Sequence, residues 1–387
     1  MAEVHIEGMC DPRFERVREA FAENFARRGD VGAAVAVTID GRPVIDLWGG
    51  YADKQRTRPW TRDTIVNVYS ATKGVAATCL NRLIDQGRVD LDAPVARYWP
   101  EFAQAGKERI PVRWLLSHRA GLPAVSKPLA PDALLRWDVM TAALAEQEPW
   151  WEPGTRHGYH ALTFGYLVGE VVRRVDGRSL GAYCREEIAA PLGADFHIGL
   201  DARHDARCAE MIAPMPPVPG APHAIPAAAP DPNSMAAKAM NNPAGAMRMS
   251  TVNSRAWRGA EVPAANGHTN ARALARIYGA LARGGEVDGV RVLSPAQIER
   301  CLTIESDGID AVVGVPMRFG LGFRITQPAA RYGPNPRTFG HTGAGGSLGF
   351  ADLDAKLGFA YTMNQMGSHI LLDPRVVALL DALYAAM

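Results

Sequence analysis

The sequence predicts an α/β (α+β) protein in which an antiparallel sheet is flanked by helices and a helical lobe is inserted in its middle. Strand patterns gather near the two ends of the chain, and helical periods fill the centre. The first two strands are joined by Asp40-Gly41, a tight turn between apolar runs that makes them an antiparallel hairpin. At 387 residues the chain can bury the core of one large domain or of two lobes.

Taken in order, residues 14–28 set Phe14, Val17, Ala20, Phe21 and Phe25 on a helical period. Residues 33–39 and 44–49 are the hairpin strands. A helix opened by Ser70 ends at Gly87, a C′ glycine, and its apolar surroundings on every side mean that it is buried. Residues 112–116, 133–146 and 163–175 also read as helices. Residues 204–243 are rich in Pro, Ala and Met with little periodicity, which reads as a long irregular lid. A helix over 270–283 ends at Gly284-Gly285, and strands follow at 319–325, 347–352 and 357–363, the last two joined at Asp354-Ala355-Lys356. Asp373 as N-cap and Pro374 at N1 start a final helix. Residues 1–68 and 255–387 thus form a discontinuous α/β lobe, and residues 69–254 a helical lobe that includes the lid. The cleft between two lobes is a usual place for a ligand.

The formal net charge is +1, with Lys and Arg spread among acids, so no nucleic-acid partner is expected. Cys10, Cys79, Cys184, Cys208 and Cys301 are odd in number, scattered and without a C-x-x-C, which fits reduced thiols in the cytoplasm. Neither this pattern nor the dispersed histidines makes a metal site, and no Gly-rich phosphate loop follows a strand, so no cofactor is expected. The first 14 residues hold no apolar run of the secretory kind, and no stretch of 18 apolar residues suggests a membrane span. Oligomeric state is open.

Chemistry concentrates at Ser70-Ala71-Thr72-Lys73. A serine hydroxyl is a poor nucleophile until a base takes its proton. Residues three apart share a helix face, so Lys73 brings an amine beside the Ser70 hydroxyl. A lysine at the root of a buried helix needs a partner or a task. Further on come Leu115-Leu116-Ser117-His118, Gly158-Tyr159-His160-Ala161 and, just before the last strand pair, Gly340-His341-Thr342-Gly343. Trp151, just ahead of the second of these, reads as a pocket wall or as core packing.

Four such segments in this order resemble the class C β-lactamase fold group, and most of all its family VIII carboxylesterases, from about residue 15 onward. The resemblance implies a serine β-lactamase/D-Ala-peptidase-like fold. It implies Ser70, Lys73 and Tyr159 as catalytic residues, with the backbone amides of Ser70 and Ala344 as an oxyanion hole. His341 and Gly343 would contact substrate, with Trp151 as a further substrate-binding candidate. The chain departs from the family pattern at Ala161, where the lactamases carry Asn, and at His341, where they carry Lys. Ala161 has no side-chain donor, and a neutral imidazole at His341 lacks the charge of a lysine. Small uncharged esters should therefore fit better than an anionic β-lactam.

The expected reaction is ester hydrolysis through a Ser70 acyl-enzyme, with Lys73 or Tyr159 as the base. A β-lactamase or D-Ala-peptidase-type hydrolase, an acyltransferase using the same intermediate, and a catalytically silent ligand-binding protein are the alternatives. Gly345-Gly346-Ser347-Leu348-Gly349 also matches the nucleophile elbow G-x-S-x-G, but residues 348–352 read as strand where that elbow needs a helix.

Overall fold

The computed structural model describes residues 4–216, 231 and 233–387. Its centre is a nine-stranded antiparallel sheet in the order Ile6–Cys10, Arg42–Gly50, Gly32–Ile39, Leu357–Met363, Leu348–Asp352, Thr338–Thr342, Arg324–Ile325, Pro316–Phe319 and Ser306–Ile309. The two ends of the chain meet in the middle of this sheet, where Val35 pairs with Tyr361 and Val37 with Phe359.

Alternation along these strands sorts the two faces by size. Val35, Val37, Phe359 and Tyr361 pack with Phe14, Val17, Phe21, Leu379 and Leu383 of the terminal helices Glu15–Arg27 and Pro374–Tyr384 and the turn before the first. Ala34, Ala36 and Ala360 face the other way and join the larger core with helix Ala271–Ala282. Small side chains on that face let the helix sit close to the sheet. The last helix is capped by Asp373, whose carboxylate accepts from Arg375 N, with proline at its first turn.

Helix Thr72–Asp85 crosses the interior and is buried on nearly every side, as its apolar sequence requires. Around it stand helices Thr163–Asp176, Leu180–Cys184 and Trp137–Glu146. A small sheet of Val66–Asn67, His268–Thr269 and Phe196–His197 ties the start of the central helix to segments far along the chain.

Several expectations need correcting. Residues 319–325 are not one strand: Gly320 and Gly322 (φ +86°) turn the chain, and Phe319 pairs back onto Arg324. Residues 133–146 are a short 3-10 turn and a helix, broken at Arg136, which is extended. Ile6–Cys10, Ser306–Ile309 and Thr338–Thr342 are strands that the sequence pattern does not announce. Within the stretch read as an irregular lid, Ser234 caps a helix over Met235–Asn241, and residues 217–230 and 232 lie outside the described residues.

Candidate active site

Ser70 does not sit inside the helix but on the 3-10 turn Tyr69–Ala71 that leads into it. Tyr69 adopts φ +44°, a conformation that costs a bulky L-residue free energy and persists only where the surroundings impose it. Here the Tyr69 side chain is buried and its hydroxyl meets Met366 Sδ at 3.4 Å. Thr72 Oγ1 donates to Tyr69 O and accepts from Gly267 N at 2.9 Å, which ties the turn to the 264–267 segment. Ser70 is left half-buried, and Lys73, one turn further in, is fully buried.

The Lys73 amine makes three contacts: Ser70 Oγ at 3.0 Å, Ala161 O at 2.7 Å and Ala264 O at 2.9 Å. Burial, with no carboxylate in salt-bridge range among the described residues, holds it well below the usual lysine range. A neutral amine has two N–H bonds and one lone pair. The two carbonyls can only accept, so they take both N–H bonds and leave the lone pair for the Ser70 hydroxyl. The backbone therefore orients the Lys73 amine toward Ser70.

Tyr159 stands beside this pair, with the Lys73 Nζ 4.8 Å from its ring centroid. Burial pushes the phenol up, and the nearby Ser70 side chain offsets part of that rise. Its backbone is fixed by Asp310, whose Oδ1 accepts from the amides of Tyr159, Val312 and Val313 at 2.9–3.0 Å. His118 accepts from His160 N at 3.1 Å through Nδ1 and packs its ring 5.1 Å from Tyr159.

His341 lies on the strand Thr338–Thr342 with its ring 6.0 Å from that of Tyr159. Its Nδ1 is 2.7 Å from Thr342 O, and a carbonyl only accepts, so the proton is on Nδ1 and Nε2 is a bare acceptor. Nε2 is buried without a partner among the described residues. Burial above all holds the ring well below the usual histidine range and so neutral.

Beyond His341 the chain turns at 343–346. Ala344 is exposed, whereas Gly343 is buried against Val68. A Cβ on Gly343 would lie 2.2 Å from Val68 O, so only glycine allows this approach to the Ser70 turn. Among the described residues, the Ser70 and Ala344 amides donate to no protein oxygen. They are two free donors on neighbouring turns.

The β-lactamase family model matches residues 17–382. The chain belongs to the β-lactamase family. Within it, the esterase/β-lactamase LipL of Mycobacterium tuberculosis is 39% identical over 381 residues, which cover 94% of this chain and 84% of that protein. The crystal structure of a family VIII carboxylesterase is 46% identical with a TM-score of 0.91, covering 99% of this chain and 100% of that one. A penicillin-binding protein homologue from Caulobacter crescentus is 41% identical with a TM-score of 0.91, again over 99% and 100% of the two chains. This β-lactamase-family chain is thus an enzyme of the esterase/β-lactamase type, a serine hydrolase.

Relative to the family motifs, the structure brings Ser70, Lys73, Tyr159 and His341 together. It places Trp151 differently: its Nε1 donates to Arg156 O at 3.2 Å and its ring lies against Gly158 and His160. Trp150, not Trp151, packs on the apolar group that contains Tyr159, along with Met235, Val312, Phe319 and Ile370. Sequence reasoning also missed Asp310 and Arg324. Arg324 is 3% exposed, donates to Thr342 Oγ1, and leaves Nη2 without a partner among the described residues. A buried arginine in an otherwise apolar stretch is the signal that was available. Among the described residues no group of His, Cys, Asp and Glu is arranged to hold a metal, and no helix is long and apolar enough to cross a membrane.

Proposed function

We propose that the protein is a carboxylesterase that hydrolyses small, uncharged esters through a Ser70 acyl-enzyme. The observation that carries this reading is the buried Lys73 amine, held by Ala161 O and Ala264 O and 3.0 Å from Ser70 Oγ. Ser70 Oγ gives its proton to Lys73 Nζ as it attacks the ester carbonyl. The amides of Ser70 and Ala344 receive the oxyanion. Tyr159, whose phenol burial keeps protonated, gives its proton to the leaving alcohol oxygen and regains one from the Lys73 ammonium. Water then enters and attacks the acyl carbonyl, its proton passing through the same pair to Ser70 Oγ as the acyl–oxygen bond breaks and the acid leaves. The neutral His341 and the side chain of Ala161 offer no charge to an anionic ring substrate. The apolar group around Tyr159 and Trp150 suits an acyl chain or aryl alcohol.

The test compares p-nitrophenyl butyrate with nitrocefin. The ester is expected to have a kcat/KM higher by roughly 10²-fold, since a site without matching polar groups loses most of its hold on a polar substrate. Nitrocefin turnover exceeding that of the ester contradicts the assignment.

Arg324 favours a second reading, a substrate that carries a carboxylate. Its guanidinium is buried beside Thr342 with no carboxylate in salt-bridge range among the described residues, and such a group binds anions strongly. Mono-p-nitrophenyl glutarate separates the two. If it outpaces the butyrate ester roughly tenfold or more, and Arg324→Met erases that advantage, the anionic reading replaces the first.

A further inference from the structure

We infer that Ser347 is a positioning residue that sets the distance between the two oxyanion donors. This rests on the reading of the Ser70 and Ala344 amides as the oxyanion hole. Those amides belong to separate turns, 69–71 and 343–346, and a pair of donors works only if their relative placement is held within roughly 0.5 Å.

The outer side of the 343–346 turn is fixed first. Gly345 takes φ +84° and points its carbonyl inward, where it accepts from Gly367 N at 2.8 Å and from Arg375 Nη2 at 2.7 Å. Arg375 is itself buried and held by Asp30 and Asp373 at 2.8 Å each. Gly343 N donates to Ser347 O at 2.7 Å and closes the turn onto Ser347.

The side facing the Ser70 turn depends on Ser347. Its Oγ donates to Val68 O at 2.8 Å, and Ser347 is 1% exposed. Among the described residues this is the one hydrogen bond that joins the segments carrying the two turns, through the residues flanking each. Val68 O is also the acceptor for Ala71 N at 3.1 Å, so the same oxygen closes the turn that carries Ser70. A Cβ on Gly343 would lie 2.1 Å from Ser347 Oγ, so glycine at that position is what leaves the bond room to form. The serine of the G-x-S-x-G match is thus buried, engaged and followed by strand Leu348–Asp352, which gives it a role in geometry and none in attack.

Ser347→Ala removes a donor and strands none, because Val68 O keeps Ala71 N. The fold should therefore survive, with a melting temperature within a few degrees of wild type. With p-nitrophenyl butyrate, kcat is expected to fall on the order of tenfold while KM stays nearly constant, a partial version of losing an oxyanion donor. Affinity for a trifluoromethyl ketone, which forms a tetrahedral adduct, should weaken by the same factor. A purely structural role would not couple those two losses. If the alanine variant does not yield folded protein, Ser347→Cys is measured in its place with the same readouts. Wild-type kcat together with unchanged ketone affinity overturns the inference. Adduct formation at Ser70 in the wild-type enzyme is read separately, so failure here and failure of the Ser70 acyl-enzyme are distinguishable.

Discussion

Lys73→Met is expected to lower kcat by roughly 10²–10⁴-fold, the range for losing a positioned general base. The variant should fold. Methionine fills much of the same volume and removes a buried amine whose charged form burial disfavours, while Ala161 O and Ala264 O lose their donor at about 1–3 kcal/mol each. The pH dependence gives the sign. In the folded enzyme Lys73 titrates well below the usual lysine range, through burial, so the unfolded chain binds more protons in the window between the folded and unfolded values. Wild-type stability therefore rises with pH through that window. The acylation rate rises as pH passes through the folded value, the lower edge of that window, where the amine of the folded enzyme becomes neutral. In Lys73→Met the rate should lose that rise, and the part of the melting temperature's pH slope that this window contributes should vanish. Retention of the wild-type pH–rate limb in the variant would move the base elsewhere.

Ala344→Pro is expected to cost at least roughly 10²–10³ in kcat, by deleting one oxyanion donor and leaving a ring carbon in its place. The backbone admits the change. Ala344 has helical dihedrals and Gly343 is extended at φ −112°, ψ 154°, as a residue before proline should be. Ala344 N donates to no protein oxygen among the described residues, so no structural hydrogen bond is lost. Circular dichroism and melting temperature near wild type, with single-turnover acylation strongly slowed, is the expected pattern. Near-normal acylation would remove Ala344 from the oxyanion hole.

Much of this site was legible in the sequence because its chemistry is carried by residue types at short spacings. Ser70 and Lys73 lie one turn apart, and helical geometry alone makes them neighbours. The Asp40-Gly41 turn and the Asp373-Pro374 cap reported their elements for the same reason, since local backbone preference fixes both. What stayed hidden depends on the tertiary fold. The left-handed conformation of Tyr69 is imposed by its burial against Met366 and by Thr72, and a tyrosine carries no sequence mark of it. The aim of Lys73 comes from two carbonyls 88 and 191 residues away in the chain, and main-chain oxygens have no residue signature. Glycines misled the strand reading at 319–325, where an apolar run conceals a hairpin. Trp151 and Trp150 are adjacent in sequence and indistinguishable there, yet only the packing decides which of them joins the apolar group around Tyr159.

The most direct test of the acyl-enzyme is peptide mapping after brief exposure to p-nitrophenyl butyrate and acid quench, on wild type and Ser70→Ala. One butyryl group on the peptide bearing Ser70 in wild type, and none in a folded Ser70→Ala protein that has lost turnover, is the predicted result. A butyryl group on Ser347, or full turnover by Ser70→Ala, would contradict it.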